Sequence, residues 1–121
     1  METILIVDDD LNLCMLLAEE LSAIGYNTSY VTSADAALEY VAREHIDLML
    51  LDLKMPEKDG FDVLRELKIK NVLFKVIVLT AYADVVSAME AARMGATDFI
   101  SKPYDFDELI VTIRKVLQKD L

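Results

Sequence analysis

The chain has 121 residues, 55% of them hydrophobic, with 22 acidic against 12 basic side chains and a formal net charge of -10. That is the length of one ordinary domain with ample material for a core. The negative balance argues against direct contact with nucleic acid or an anionic membrane, and favours cations and basic protein surfaces as partners.

Glycine and proline are few, and no linker or low-complexity stretch interrupts the chain, so residues 1–121 read as one domain. The single cysteine, Cys14, lies among Leu13, Met15, Leu16 and Leu17, which excludes an internal disulfide and suggests a buried thiol. No run approaches the roughly 18 apolar residues of a membrane span, and the opening residues lack the basic and long apolar regions of a signal peptide. Composition therefore points to a cytoplasmic protein.

Short apolar runs alternate with longer amphipathic ones. Ile4 to Val7 reads as a buried strand, followed by a helix over Leu11 to Ile24 with Leu13, Leu17, Leu21 and Ile24 inward and Gly25 just past its end. Thr28 to Val31 is a more polar strand. A second helix begins near Ser33 with Ala37, Leu38 and Val41 inward, and Leu48 to Leu51 is a wholly apolar strand ending on Asp52. A third helix spans Phe61 to Lys68, and Val76 to Leu79 is a strand ending on Thr80. A fourth helix runs from Ala83 to Met94, closed by Gly95. Phe99 to Ser101 is the last strand, leading through Lys102-Pro103 into a helix over Phe106 to Leu117. Strands alternating with helices imply parallel pairing with right-handed crossovers. The expectation is a (βα)5 doubly wound α/β sandwich of strand order 2-1-3-4-5, as in flavodoxin-like folds, with a ligand crevice at the carboxyl ends of the first and third strands.

Asp8 and Asp9 follow the first strand, Asp52 the third, Thr80 the fourth and Lys102 the fifth, so all five fall on that rim. Three carboxylates without imidazole or thiolate suit a hard, oxygen-seeking cation, Mg²⁺ before Zn²⁺. With a threonine and a lysine they suit phosphoryl transfer, in which a carboxylate can be the nucleophile. Asp10 reads as a helix N-cap. Asp47, Asp59, Asp84, Asp105 and Asp107 read as turn and cap residues, His45 as a surface residue near a helix end, and Met15, Met89 and Met94 as helix packing. Asp8, Asp10, Asn12 and Glu19 match calcium-loop spacing, but Leu13 stands where that loop needs glycine, and a strand precedes it.

ILIVDDD, LLDLKMPEKDG, VIVLTAY and DFISKP, in this order, resemble the response-regulator receiver domain of two-component signalling along essentially the whole chain. The resemblance implies that Asp52 accepts a phosphoryl group from a phosphohistidine on a sensor kinase or phosphotransfer protein. It implies Mg²⁺ held by Asp8, Asp9, Asp52 and the backbone carbonyl of Lys54. Thr80 and Lys102 would grip the phosphoryl oxygens, and Phe99 would be the switch aromatic. Lys102-Pro103 matches a Lys-Pro step that is commonly cis in the family. Output would pass through the fourth helix, fifth strand and fifth helix as a population shift. The chain would then be a signalling receiver rather than an enzyme, with Mg-dependent self-phosphorylation and autodephosphorylation, Lys54 and Tyr82 tuning the latter.

The rival from another class is a haloacid-dehalogenase-type phosphatase, which Asp8 and Asp10 satisfy in spacing while Asn12 stands where Thr or Val is expected. A flavodoxin would need a hydroxyl- and glycine-rich loop where the three aspartates stand. A standalone regulator and the receiver of a transcriptional regulator both remain open, as do kinase, stimulus, phosphoryl lifetime, downstream target and phosphorylation-dependent dimerisation.

Overall fold

A computed structural model of the chain describes residues 1–81 and 84–119. The expected helix start at Ala83, the position of Tyr82 and the chain end at Leu121 lie outside the described residues. Among those described, five strands alternate with five helices: β1 Thr3–Val7, α1 Leu11–Ala23, β2 Asn27–Val31, α2 Ala34–Arg43, β3 Leu48–Leu51, α3 Gly60–Ile69, β4 Lys75–Thr80, α4 Val85–Arg93, β5 Asp98–Ser101 and α5 Phe106–Leu117. The strands form one parallel sheet of order β2-β1-β3-β4-β5.

β1, β3 and β4 lie inside the sheet because both of their faces are apolar. Alternate residues point to opposite faces. Leu5, Val7, Met49, Leu51, Val76 and Val78 pack with residues of α2, α3 and α4, while Ile4, Ile6, Leu48, Leu50, Ile77 and Leu79 pack with α1 and α5. Each fully buried leucine or isoleucine contributes roughly 1.5–3 kcal/mol. β2, with Asn27, Thr28 and Ser29, can tolerate the edge.

The helices start where a short polar side chain can take up free amides. Asp10, Ser33, Asp59, Asp84 and Asp105 cap α1 to α5 in turn, accepting from Leu13, Ala36, Asp62, Ser87, and both Asp107 and Glu108 N–H groups. Asp59 and Asp62 form a reciprocal capping box. Gly25 and Gly95 follow α1 and α4 at φ +108° and +102°, conformations that favour glycine. Much of the acidic excess is thus spent on helix starts.

Three packing expectations need correction. Ile24 is not on the buried stripe of α1: the chain leaves the helix there as its C-cap, and the stripe runs through Cys14, Leu17 and Leu21, with Leu13 half-buried. Met15 and Met89 are 52% and 57% exposed, on the outward faces of α1 and α4, whereas Met94 does pack against the core. His45 is exposed, beside Asp47, whose carboxylate accepts the Thr3 N–H at 2.8 Å. Leu11–Ala23 being continuous helix leaves no calcium loop.

Candidate functional site: an acidic crevice at the sheet's carboxyl edge

The order of the sheet puts β1 beside β3, with β2 on one side and β4 on the other, so the chain leaves the ends of β1 and β3 in opposite directions. A crevice opens there. The Asp8 N–H donates to the Val31 carbonyl at 3.2 Å and the Asp52 N–H to the Val7 carbonyl at 2.9 Å, which extends the ladder one step and fixes both aspartates beside each other. One carboxylate oxygen from each of Asp8, Asp9 and Asp52 lies within 4.8 Å of the other two.

Asp8 is 3% exposed and Asp52 7%, while Asp9 faces solvent. Both oxygens of Asp8 are engaged: the Asp10 N–H donates to Oδ1 at 3.0 Å and Lys102 Nζ to Oδ2 at 2.5 Å. Lys102 Nζ also lies 3.6 Å from Asp52 Oδ2, and the Lys54 N–H reaches Asp52 Oδ1 at 3.5 Å. One ammonium therefore serves two buried carboxylates. Burial pushes the Asp8 carboxyl above its ordinary range, against the hydrogen bonds from Lys102 and the Asp10 amide. Burial alone would lower the Lys102 ammonium, but the bond to Asp8 and the charges of Asp8 and Asp52 outweigh it and hold the lysine above its ordinary value. The pairing favours the charged form of both partners; desolvation wins only at Asp8.

A cavity of about 430 Å³ opens onto this cluster, bounded by Asp9, Asp52, Lys54, Ala81 and Lys102, with Met55 and Pro56 beside them. Thr80 is the last residue of β4 and fully buried, and the Lys102 N–H donates to its carbonyl at 2.9 Å. Phe99 stands opposite Val78 on β5 and is half-buried against the α2–α3–α4 side of the core, the face that Thr80 shares with Val78. The Lys102-Pro103 bond is cis. The crevice thus brings together Asp8, Asp9, Asp52, Lys54 and Lys102, with Thr80 tied to Lys102 through its backbone carbonyl and Phe99 two residues below Thr80's level in the ladder. Asp10 is turned away to cap α1, bonding the Leu13 N–H at 3.1 Å.

Two contacts escaped the sequence reading. The Cys14 thiol donates to the Asp8 carbonyl at 3.3 Å, tying α1 to the end of β1. Gly60 lies against the Asp52–Leu53 backbone; its only signal in the sequence was a glycine directly after an acidic cap residue.

The donors are all oxygen, and two of the three carboxylates are nearly buried, so the cluster fits a hard divalent cation and suits zinc poorly. Fold and site together define a doubly wound α/β domain with a cation-compatible acidic crevice and an adjoining lysine, an arrangement whose chemistry is compatible with phosphoryl groups. A family model described as the response regulator receiver domain matches residues 4–114, and the chain belongs to that family, the signalling receivers of two-component systems. It is 43% identical over 114 residues to the transcriptional regulatory protein ZraR of Escherichia coli K12, covering 94% of this chain and 26% of ZraR. It is 37% identical over 116 residues to sporulation initiation phosphotransferase F of Bacillus subtilis, covering 96% of this chain and 94% of that protein. Among solved structures it resembles the response regulator TrrA of Thermotoga maritima in complex with Mg²⁺-BeF, with 34% identity, a TM-score of 0.86, and coverage of 96% and 99% of the two chains. The chain spans about a quarter of the length of the ZraR proteins it matches. Among the described residues no helix is long and apolar enough to cross a membrane.

Proposed function

We propose that residues 1–121 act as one phosphorylation-activated receiver in which Asp52 is the phosphoacceptor. What carries the reading is the approach of three carboxylates to within 4.8 Å beside the shared Lys102 ammonium. Asp52 borders the open cavity, whereas Asp8 is covered and has both oxygens bonded. An Asp52 carboxylate oxygen attacks the phosphorus of a phosphohistidine on a sensor kinase or phosphotransfer protein. The P–O bond forms as the P–N bond breaks, and the imidazole leaves with a proton from solvent.

Asp8, Asp9, Asp52 and the Lys54 backbone carbonyl would hold Mg²⁺, which when bound supplies charge neutralisation at the transferred oxygens. The protein's own part is positioning. Lys102 passes from its two carboxylates to the new phosphoryl oxygens, and the Thr80 hydroxyl turns towards them. Phe99, on the same face one strand away, follows into the space that Thr80 vacates. The bias then reaches α4, β5 and α5, the proposed contact surface for an output domain or target protein in the cytoplasm. Slow self-phosphorylation by small donors and autodephosphorylation follow from the same geometry.

The test is modification of the wild type and of Asp52→Asn by acetyl phosphate or beryllofluoride in Mg²⁺, read by mass spectrometry and peptide mapping. Label on Asp52, lost in the variant, is the expected result. Equal modification of the variant would remove Asp52 from the role, and label on Asp8 would favour the dehalogenase-type phosphatase.

A further inference from the structure

We infer that Gly60 is a positioning residue for Asp52, an inference that rests on Asp52 being the phosphoacceptor. α3 begins at Gly60, and its first residue is seated directly on the peptide that follows the reacting aspartate. The Gly60 N–H donates to the Leu53 carbonyl at 2.8 Å. A Cβ on Gly60 would lie 2.3 Å from the Asp52 carbonyl oxygen and 2.7 Å from Leu53 Cα. Both are backbone atoms, which cannot swing aside as a side chain would. Gly60 does not have a left-handed φ, so it is the closeness of this contact, not backbone conformation, that excludes a side chain.

The seat is rigid from three sides. β1 holds the Asp52 N–H through the Val7 carbonyl at 2.9 Å. The capping box locks the helix start through two 3.0 Å bonds between Asp59 and Asp62, and Arg65 bonds the Asp62 carboxylate at 2.6 Å. Lys58, two residues before Gly60, bonds Asp35 of α2 at 2.7 Å across the loop. A methyl group at Gly60 therefore has to displace either α3 or the Asp52–Leu53 peptide by about 1 Å, a misplacement that can cost about 100-fold in rate where reacting groups must be aligned. With α3 clamped at its start by its cap and by Val63 and Leu64 in the core, and the Asp52 N–H held by β1, the Asp52 carbonyl and Leu53 are the part that yields. That peptide carries the nucleophile and leads to the Lys54 carbonyl, so nucleophile and cation donors lose their alignment together.

The experiment compares wild type, Gly60→Ala and Leu67→Ala, the last a packing variant at the far end of the same helix. Acetyl phosphate labelling of Asp52 is followed over donor concentration, Mg²⁺ affinity is measured by calorimetry, and folding is followed by circular dichroism. If wild type takes no label at Asp52, the phosphoacceptor reading falls and this inference with it. With wild type labelled, Gly60→Ala is expected to remain folded, to label roughly 10- to 100-fold more slowly at saturating donor with half-saturation unchanged, and to bind Mg²⁺ more weakly. Leu67→Ala should keep both properties despite its lower melting temperature. Wild-type labelling by Gly60→Ala, or equal losses in Leu67→Ala, would overturn the inference alone. Should Gly60→Ala fail to fold, Asp62→Ala loosens the same seat by opening the capping box: several-fold slower labelling supports the inference and an unchanged rate refutes it.

Discussion

Replacing Asp9 with asparagine should make the metal-free protein more stable while weakening its hold on Mg²⁺. One oxygen from each of Asp8, Asp9 and Asp52 lies within 4.8 Å of the other two, a separation at which two unit charges repel by about 3.5 kcal/mol at an effective dielectric of 20 and about 0.9 kcal/mol in bulk water. Asp9 faces solvent, so its environment lies towards the aqueous limit and each of its two repulsions is worth about 1 kcal/mol. The Lys102 ammonium offsets part of this. A net gain of about 1 kcal/mol remains, which for a chain of this length raises Tm by about 3–6 °C. Bound at the proposed site in the folded state alone, Mg²⁺ would stabilise it by about 2.7 kcal/mol at a hundred-fold excess over Kd, an increment the variant should largely lose. Thermal unfolding of both proteins, in EDTA and in Mg²⁺, should therefore reverse their order, and the EDTA difference should shrink in high salt. A variant less stable than wild type in EDTA, or equal Mg²⁺ increments in the two, would refute the electrostatic account.

Lys102→Met strands Asp8 without its cation and should lower stability in EDTA by roughly 2–4 kcal/mol in urea titrations, with Mg²⁺ recovering most of the loss; an unchanged midpoint would count against the ion pair. Leu17, fully buried on the inner face of α1, should cost about 2–5 kcal/mol when cut to alanine, as a shift in urea midpoint at constant slope. Burial pushes the Cys14 thiol up to about 11 from 9.0, with Asp8 and Asp10 adding to it. The folded state therefore keeps a proton that the unfolded state loses, and stability should fall as pH rises from 9 towards 11. Iodoacetamide should modify the thiol far more slowly in the native than in the urea-unfolded protein, and equal rates would contradict its burial.

The architecture was legible because β3 and β4 carry no polar residue between Leu48 and Leu51 or between Val76 and Leu79, and because Gly25 and Gly95 mark two helix ends. The aspartates at strand ends marked the crevice for the same reason: a charge after an apolar run has nowhere to go but the rim. Facing was harder. Met15 and Met89 look like core residues, yet a helix beside a five-stranded sheet covers it with one stripe only, and the width of that stripe is a tertiary property. The ladder of β4 begins one residue before its apolar run, at Lys75, which is buried. Gly60 could not be recognised because its significance is a distance to a peptide eight residues earlier.

The Lys102 contacts also set the valence of the crevice. Three carboxylates and one ammonium carry a formal charge of minus two, the amount that a single divalent cation cancels. A potassium or sodium ion would leave the cluster anionic, and a trivalent ion would overshoot. In the proposed metal site the lysine would thus help to select the ion by charge before coordination geometry discriminates by size. Methionine in its place would move the point of neutrality to a trivalent cation, so lanthanide binding, measured against Mg²⁺, should gain in Lys102→Met.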